Sequence, residues 1–256
     1  MQLHFRQEGR GEPLLLIHGL FGSLENLGYV ARRLSDRFRV FSLDMRNHGR
    51  SPHHGLMSYD LMVADVVRFL DQQQLDQVRL LGHSMGGKVA MQLALSHPQR
   101  VKQLVVADIA PVTYEDHHSQ IFKGLLSFDP ADIHSRGEAD RLLSDYVPEL
   151  PVRSFLLKNL IRRSEGCGGF RWRVNLPVLL EQYHNIMRGQ QGTPFDGATL
   201  FIKGGNSDYI LPKYRDQVAA LFPRADLKIM SGTGHWLHAE KPDLFCNLAL
   251  RFLTNN

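Results

Sequence analysis

The sequence predicts an α/β protein: a mostly parallel central sheet with helices on both faces, interrupted by an inserted helical cap. Three observations predict it. Short apolar runs, each stopped by Gly or Asp, alternate with helix-periodic segments through the first half of the chain. That alternation lapses between about Pro111 and Pro194, where helical stretches dominate. It then resumes and continues to the end of the chain. The expected division is a core of residues 1–111 and 196–256 and a cap of residues 112–195.

The elements follow in order. Leu14–Ile17 is an apolar run that ends at His18-Gly19, and Arg39–Leu43 is one that ends at Asp44. Tyr59, Met62, Val63, Val66, Val67 and Leu70 then recur at helical spacing behind Ser58, a suitable N-cap. Val78–Leu81 is a third run, stopped by Gly82, and Val89 and Leu93 open a helical pattern after Gly87. Leu104–Val106 is a fourth run and ends near Asp108. Within the cap, Ala139–Tyr146 and Val152–Arg163 read as helices. A strand over Thr199–Lys203, a helix over Tyr214–Leu221 and a strand over Leu227–Met230 follow. The last helix carries the stripe Phe245, Leu248, Ala249 and Phe252. Strands alternating with helices imply a parallel sheet covered on both faces.

Bulk composition narrows the function. Of 256 residues, 43% are hydrophobic and 22% charged, which suits a globular chain with a sizeable core. Thirty bases against 26 acids give a net charge of only +4, without blocks of Lys or Arg, so a nucleic-acid partner is not expected. Two cysteines, Cys167 and Cys246, make neither a disulfide framework nor a metal-ligand pair, and no metal or cofactor is expected. The opening MQLHFRQEGRGEP has no apolar stretch of signal length, and no run is long enough to span a membrane. A cytoplasmic location with reduced thiols is the expectation.

The chemistry centres on Gly82-His83-Ser84-Met85-Gly86-Gly87, between an apolar run and a helix. A serine in a tight strand-to-helix turn sits in a strained backbone conformation, and its neighbours two positions away must be small. Such a turn exposes the hydroxyl and sets backbone N–H groups at the new helix's start, where they can hold an oxyanion. A serine hydroxyl needs a base, and the base needs an orienting group. Among 13 histidines, His235 stands out, because it follows the last apolar run and precedes the last helix. A loop there lies at the same sheet edge as Ser84; His238 is its nearest rival. Two acids end strands at that edge, Asp108 and Asp208, and spacing does not choose between them.

On these residues the chain resembles the α/β-hydrolase superfamily, and within it the YbfF-type esterases of bacteria. The resemblance rests on HGLFGS, DMRNHG, GHSMGGK, DIAP, GGNS and GHWLHAEKP, and it runs nearly end to end, weakest across the cap. It implies hydrolysis of small-molecule acyl esters, with acyl-thioesters such as acyl-CoA credited to some relatives. It implies Asp108 as the acid partner of Ser84 and His235, with Asp208 the alternative that the wider superfamily favours. It also implies an oxyanion hole from the backbone N–H groups of Leu20 and Met85, with Phe21 a third candidate. Perhydrolases and carbon–carbon bond hydrolases share the same constellation, and a binding protein could keep the turn for packing. Dehalogenases and epoxide hydrolases place an aspartate where Ser84 stands. In the cap, Arg153, Lys158, Arg162, Arg163, Arg171 and Arg173 either attract an anionic substrate tail or form a solvated face. Leu156, Leu157, Leu160, Phe170 and Trp172 either line an acyl pocket or pack the cap.

Overall fold

A computed structural model describes residues 1–163 and 169–255. Seven strands form the main sheet: β1 (Phe5–Glu8), β2 (Pro13–Ile17), β3 (Arg39–Leu43), β4 (Val78–His83), β5 (Val101–Ala107), β8 (Ala198–Gly204) and β9 (Ala225–Met230). Their order is β1-β3-β2-β4-β5-β8-β9, and every pair is parallel except the antiparallel β1–β3 edge. Between β5 and β8 lies a two-stranded antiparallel sheet of β6 (Leu160–Arg162) and β7 (Phe170–Trp172).

The expected apolar runs of β2–β5 and β8 are strands because both faces of the sheet are buried there, whereas β9 lies at the exposed edge. Leu14 and Leu16 pack into one apolar cluster while Leu15 and Ile17 pack into the other. On the first face lie α1 (Gly28–Leu34) and α11 (Pro242–Thr254), and on the second α2 (Tyr59–Gln72) and α3 (Met85–Ser96). Ser58 caps α2 by accepting the Leu61 N–H. Beyond β9, α9 (Arg215–Leu221) precedes it and α10 (Leu237–Glu240) follows it. The short β1 carries little apolar signal, and only its pairing with β3 defines it. Cys246 is a free, buried thiol in α11, while Cys167 lies outside the described residues.

The segment between β5 and β8 holds α4 (Ser119–Leu126), α5 (Arg136–Ser144), α6 (Leu150–Leu156), α7 (Leu176–Glu181) and α8 (Tyr183–Met187). It adds no strand to the main sheet. The helix expected over Val152–Arg163 is wrong in its second half. The helix ends at Leu156, a 3-10 turn spans Leu157–Asn159, and β6 begins at Leu160. The break has a local cause. The buried Asn159 amide donates to the Leu156 carbonyl at 3.2 Å and to the Phe21 carbonyl at 2.7 Å, and Leu160–Arg162 pair with β7.

Lys88 fastens this segment to the sheet. Its side chain is buried in α3, and its Nζ donates to the carbonyls of Val112, Met187 and Arg188 at 2.8, 3.1 and 2.7 Å. The first lies where the segment leaves the core, and the other two where it returns. The Tyr114 and Tyr59 rings face the same nitrogen at 4.8 and 5.6 Å. A Lys88→Met variant keeps the stem's volume but leaves three carbonyls, two of them buried, without this donor. It should lose roughly 3 kcal/mol of stability, read as a lower urea midpoint; an unchanged midpoint would show that the clamp carries no stability.

Candidate active site

The C-terminal ends of the parallel strands collect the polar residues. Ser84 follows β4 at φ 53°, a left-handed conformation that few non-glycine residues adopt. Its N–H donates to the Ala107 carbonyl at 3.0 Å, which fixes the turn to β5. The glycines that flank it have no alternative. A Cβ on Gly82 would lie 2.2 Å from the Gly86 carbonyl oxygen, and one on Gly86 would lie 2.2 Å from that of Ile17. The turn therefore puts the Ser84 hydroxyl into the cavity above the sheet.

His235 sits in the loop after β9 and reaches Ser84, with Nε2 at 3.0 Å from Oγ. Its Nδ1 lies 2.8 Å from Oδ2 of Asp108. A carboxylate only accepts, so Nδ1 carries the proton and Nε2 is free to accept one from the serine. Asp108 follows β5 at φ 52° and has no exposed surface. Its Oδ1 accepts the Gly204 N–H at 2.8 Å, and its Oδ2 also accepts the Ser207 hydroxyl. Asp208, one residue on, is exposed and makes no hydrogen bond to His235 among the described residues. His238 points elsewhere, its ring packed on His83 at 4.4 Å between centroids.

Other residues aim the histidine, and no local pattern in the chain marks them. Tyr209 stacks on the His235 ring at 4.0 Å, and buried His83 donates Nε2–H to the His235 carbonyl at 2.8 Å. The Tyr114 hydroxyl accepts the Ala110 N–H at 2.8 Å and donates to the Tyr209 carbonyl, so it joins the Asp108 loop to the Ser207 loop.

A pair of buried histidines shapes the loop after β2. His18 Nε2 accepts the Met45 N–H at 3.1 Å, and its Nδ1–H donates to the Gly19 carbonyl at 2.8 Å. His48 Nε2 accepts the Phe21 N–H at 3.2 Å, and its Nδ1–H donates to the Arg46 carbonyl at 2.9 Å. Phe21 was a candidate oxyanion donor; its N–H is committed to His48 instead. Leu20 lines the cavity beside Ser84, and Met85 opens α3 immediately after Ser84. The DMRNHGRS turn also proves structural. The Asp44 carboxylate accepts the Leu24 and Arg50 N–H groups at 2.7 and 2.8 Å.

The cavity over Ser84 has a volume of about 530 Å³. Its apolar wall comes from Ile121, Val147, Val152, Phe155, Leu156 and Trp236. Of the five apolar cap residues considered from the sequence, only Leu156 lines it. Leu157, Leu160 and Phe170 are buried in the core, and Trp172 packs on Phe128. None of the six cap cations lines it either. Arg153 pairs with Asp140 at 2.8 Å, while Arg171 and Arg173 border a different cavity with Arg50 and His53. His117, His118, Tyr146 and Glu149 are the titratable residues of the segment between β5 and β8 that do line the cavity over Ser84. His118 Nδ1 meets the Tyr183 hydroxyl at 2.6 Å. Among the described residues, no group of three His, Cys, Asp or Glu side chains is placed to hold a metal ion.

The family follows from comparison with known proteins. A model of the alpha/beta hydrolase fold family matches residues 12–136. The esterase YbfF of Escherichia coli (strain K12) is 40% identical over 251 residues, covering 98% of this chain and 96% of that protein. The chain belongs to the α/β-hydrolase superfamily, with the YbfF-type esterases. An sn-1-specific diacylglycerol lipase of Mus musculus is 41% identical, covering 94% of this chain and 80% of that protein. The solved structure of a marine microorganism esterase superposes with a TM-score of 0.95 at 42% identity, covering 98% of this chain and 99% of that one. The protein is accordingly an α/β hydrolase of the esterase and lipase type, a carboxylic ester hydrolase. No helix among the described residues is long and apolar enough to cross a membrane.

The buried histidines make the fold sensitive to acid. Burial pulls the pKa of His18 and His118 down to about 4 and that of His48 and His238 to about 3, and lowers that of His83 as well. In the unfolded chain each titrates near about 6.5. Below that pH the unfolded state binds protons that the folded state refuses. Stability is therefore full above about pH 6.5 and is lost as pH falls toward about 4, by roughly 1–2 kcal/mol at pH 5 for each of the fully buried His18, His48 and His238. Circular dichroism against pH should show cooperative unfolding between about pH 6 and 4. A native spectrum retained below that range would contradict the neutral assignment.

Proposed function

We propose that the protein is a serine esterase that hydrolyses neutral acyl esters through a Ser84–His235–Asp108 triad and an acyl-enzyme. One observation carries this reading: His235 bridges Ser84 and Asp108 with 3.0 and 2.8 Å contacts, each ring nitrogen in its required role. His235 takes the Ser84 proton as Oγ attacks the acyl carbonyl, and returns it to the leaving alcohol. Water then attacks the acyl-enzyme with His235 again as base. Asp108 keeps the tautomer and stabilises the imidazolium. The N–H groups of Leu20 and Met85 receive the oxyanion, and that of Met85 gains from its place at the start of α3.

In the same proposal, residues 112–195 are a cap over a core of residues 1–111 and 196–256, and they set substrate choice. The apolar wall of the cavity favours an aliphatic acyl group. The cap cations stand outside it, and the exposed Glu149 carboxylate stands at its lining, so a neutral ester fits better than acyl-CoA. The names of the relatives, an esterase and a diacylglycerol lipase, agree with neutral esters. No cofactor takes part.

On a small chromogenic ester, Ser84→Ala should lower kcat by roughly 10⁴–10⁶. Asp108→Asn should lower it by roughly 10⁴ through the wrong tautomer, while Asp208→Asn should stay near wild type. Near-wild-type turnover by Ser84→Ala would refute the nucleophile, and equal losses at Asp108 and Asp208 would refute the choice of acid.

A further inference from the structure

The main sheet ends on β9, whose outer edge pairs with no strand among the described residues. An open edge is a template for another strand, and proteins normally guard it with charged side chains, proline, a bulge or a covering element. Here the strand is ADLKIM, without proline and with an unbroken register to β8, and its two charges, Asp226 and Lys228, are of opposite sign, so they repel a second copy only in some registers. Leu227 and Ile229 share one face and are 50% and 59% exposed. Between them and α9 runs an apolar groove of about 580 Å³, lined also by Phe201, Val218 and Phe222. No residue of α9 is buried, so this helix leaves the face open.

The backbone of β9 is oriented for pairing. The Met230 carbonyl accepts the Gly205 N–H at 2.9 Å, on the β8 side. Main-chain groups alternate sides along a strand, so Asp226 and Lys228 also bond toward β8. Leu227 and Ile229 then turn both N–H and C=O to the open edge.

We propose that β9 is a self-association surface. Two copies of this chain pair β9 with β9, antiparallel, about a two-fold axis at Leu227, and their two sheets become one. The contact is isologous and closes on itself. In this register Leu227 faces its own counterpart and Ile229 faces Ala225. Asp226 of each copy faces Lys228 of the other, on the opposite side of the ribbon. Among axes at Asp226, Leu227 and Lys228, charge selects Leu227, and an axis nearer either end would pair fewer residues of the strand. Moving the axis to Lys228 would set lysine against lysine, and moving it to Asp226 would set aspartate against aspartate; like charges directly across a ladder are unfavourable. An axis between two residues would oppose outward-facing main-chain groups to inward-facing ones.

Sedimentation velocity on the full chain, from about 1 µM to about 100 µM, tests the idea in the micromolar regime. The wild type should sediment as a reversible dimer at the upper end. Asp226→Lys and Lys228→Asp should each weaken the dimer by about tenfold or more, because each turns two attractive pairs into repulsive ones. The double variant Asp226→Lys/Lys228→Asp should restore it. Both positions lie away from Ser84, so ester turnover serves as the check that each variant is folded. A wild type that stays monomeric throughout overturns the proposal. So does a dimer that ignores the single variants, or one that the double variant fails to restore.

Discussion

The site depends on one buried carboxylate. Asp108 has no contact with solvent, and an ionised group in that position is tolerable only if its oxygens are satisfied. The satisfaction comes from three separate places: the Gly204 N–H at the end of β8, the Ser207 hydroxyl in the loop after it, and the His235 ring after β9. Any drift of one loop strips a partner from a buried charge. Burial of Asp108 thereby fixes the relative positions of β5, β8 and β9 at the sheet edge, and His235 inherits that precision. Ser84 is anchored to the same strand, because its N–H bonds to the carbonyl of Ala107, the residue before Asp108.

The opposite wall relies largely on neutral imidazoles. His18 and His48 each accept one backbone N–H and donate to one carbonyl around the loop from Gly19 to Phe21, and the buried Asp44 carboxylate accepts the Leu24 N–H just beyond it. The inserted segment is tied to both walls. Asn159 bonds to the Phe21 carbonyl, and Lys88 gathers both ends of the segment behind α3.

Much of this was legible in the sequence, and the reasons are physical. Strands buried on both faces appear as short apolar runs, and these matched β2–β5 and β8 to within a few residues; β9 matched its run as well, although it lies at the exposed edge. Ser84 announced itself because its turn tolerates only small neighbours, a constraint that acts within five consecutive residues. His235 was found by its place after the last strand. The choice between Asp108 and Asp208 was not legible from spacing, since both follow strands at the same edge. Only the third dimension shows that one is buried against His235 and the other exposed. The break at Asn159 was hidden for a similar reason, as its partners include Phe21, 138 positions away. The roles of His18, His48, Tyr209 and Lys88 rest on contacts across the fold and leave no periodic trace.

The proposed chemistry stands on Ser84 acting as a nucleophile driven by His235, and labelling with a fluorophosphonate probe, followed by mass mapping of the modified peptide, reads that out. A single modification is expected, on Ser84, at a rate that falls by orders of magnitude in His235→Ala. Modification of another residue, or no modification of the folded wild-type protein, would contradict it.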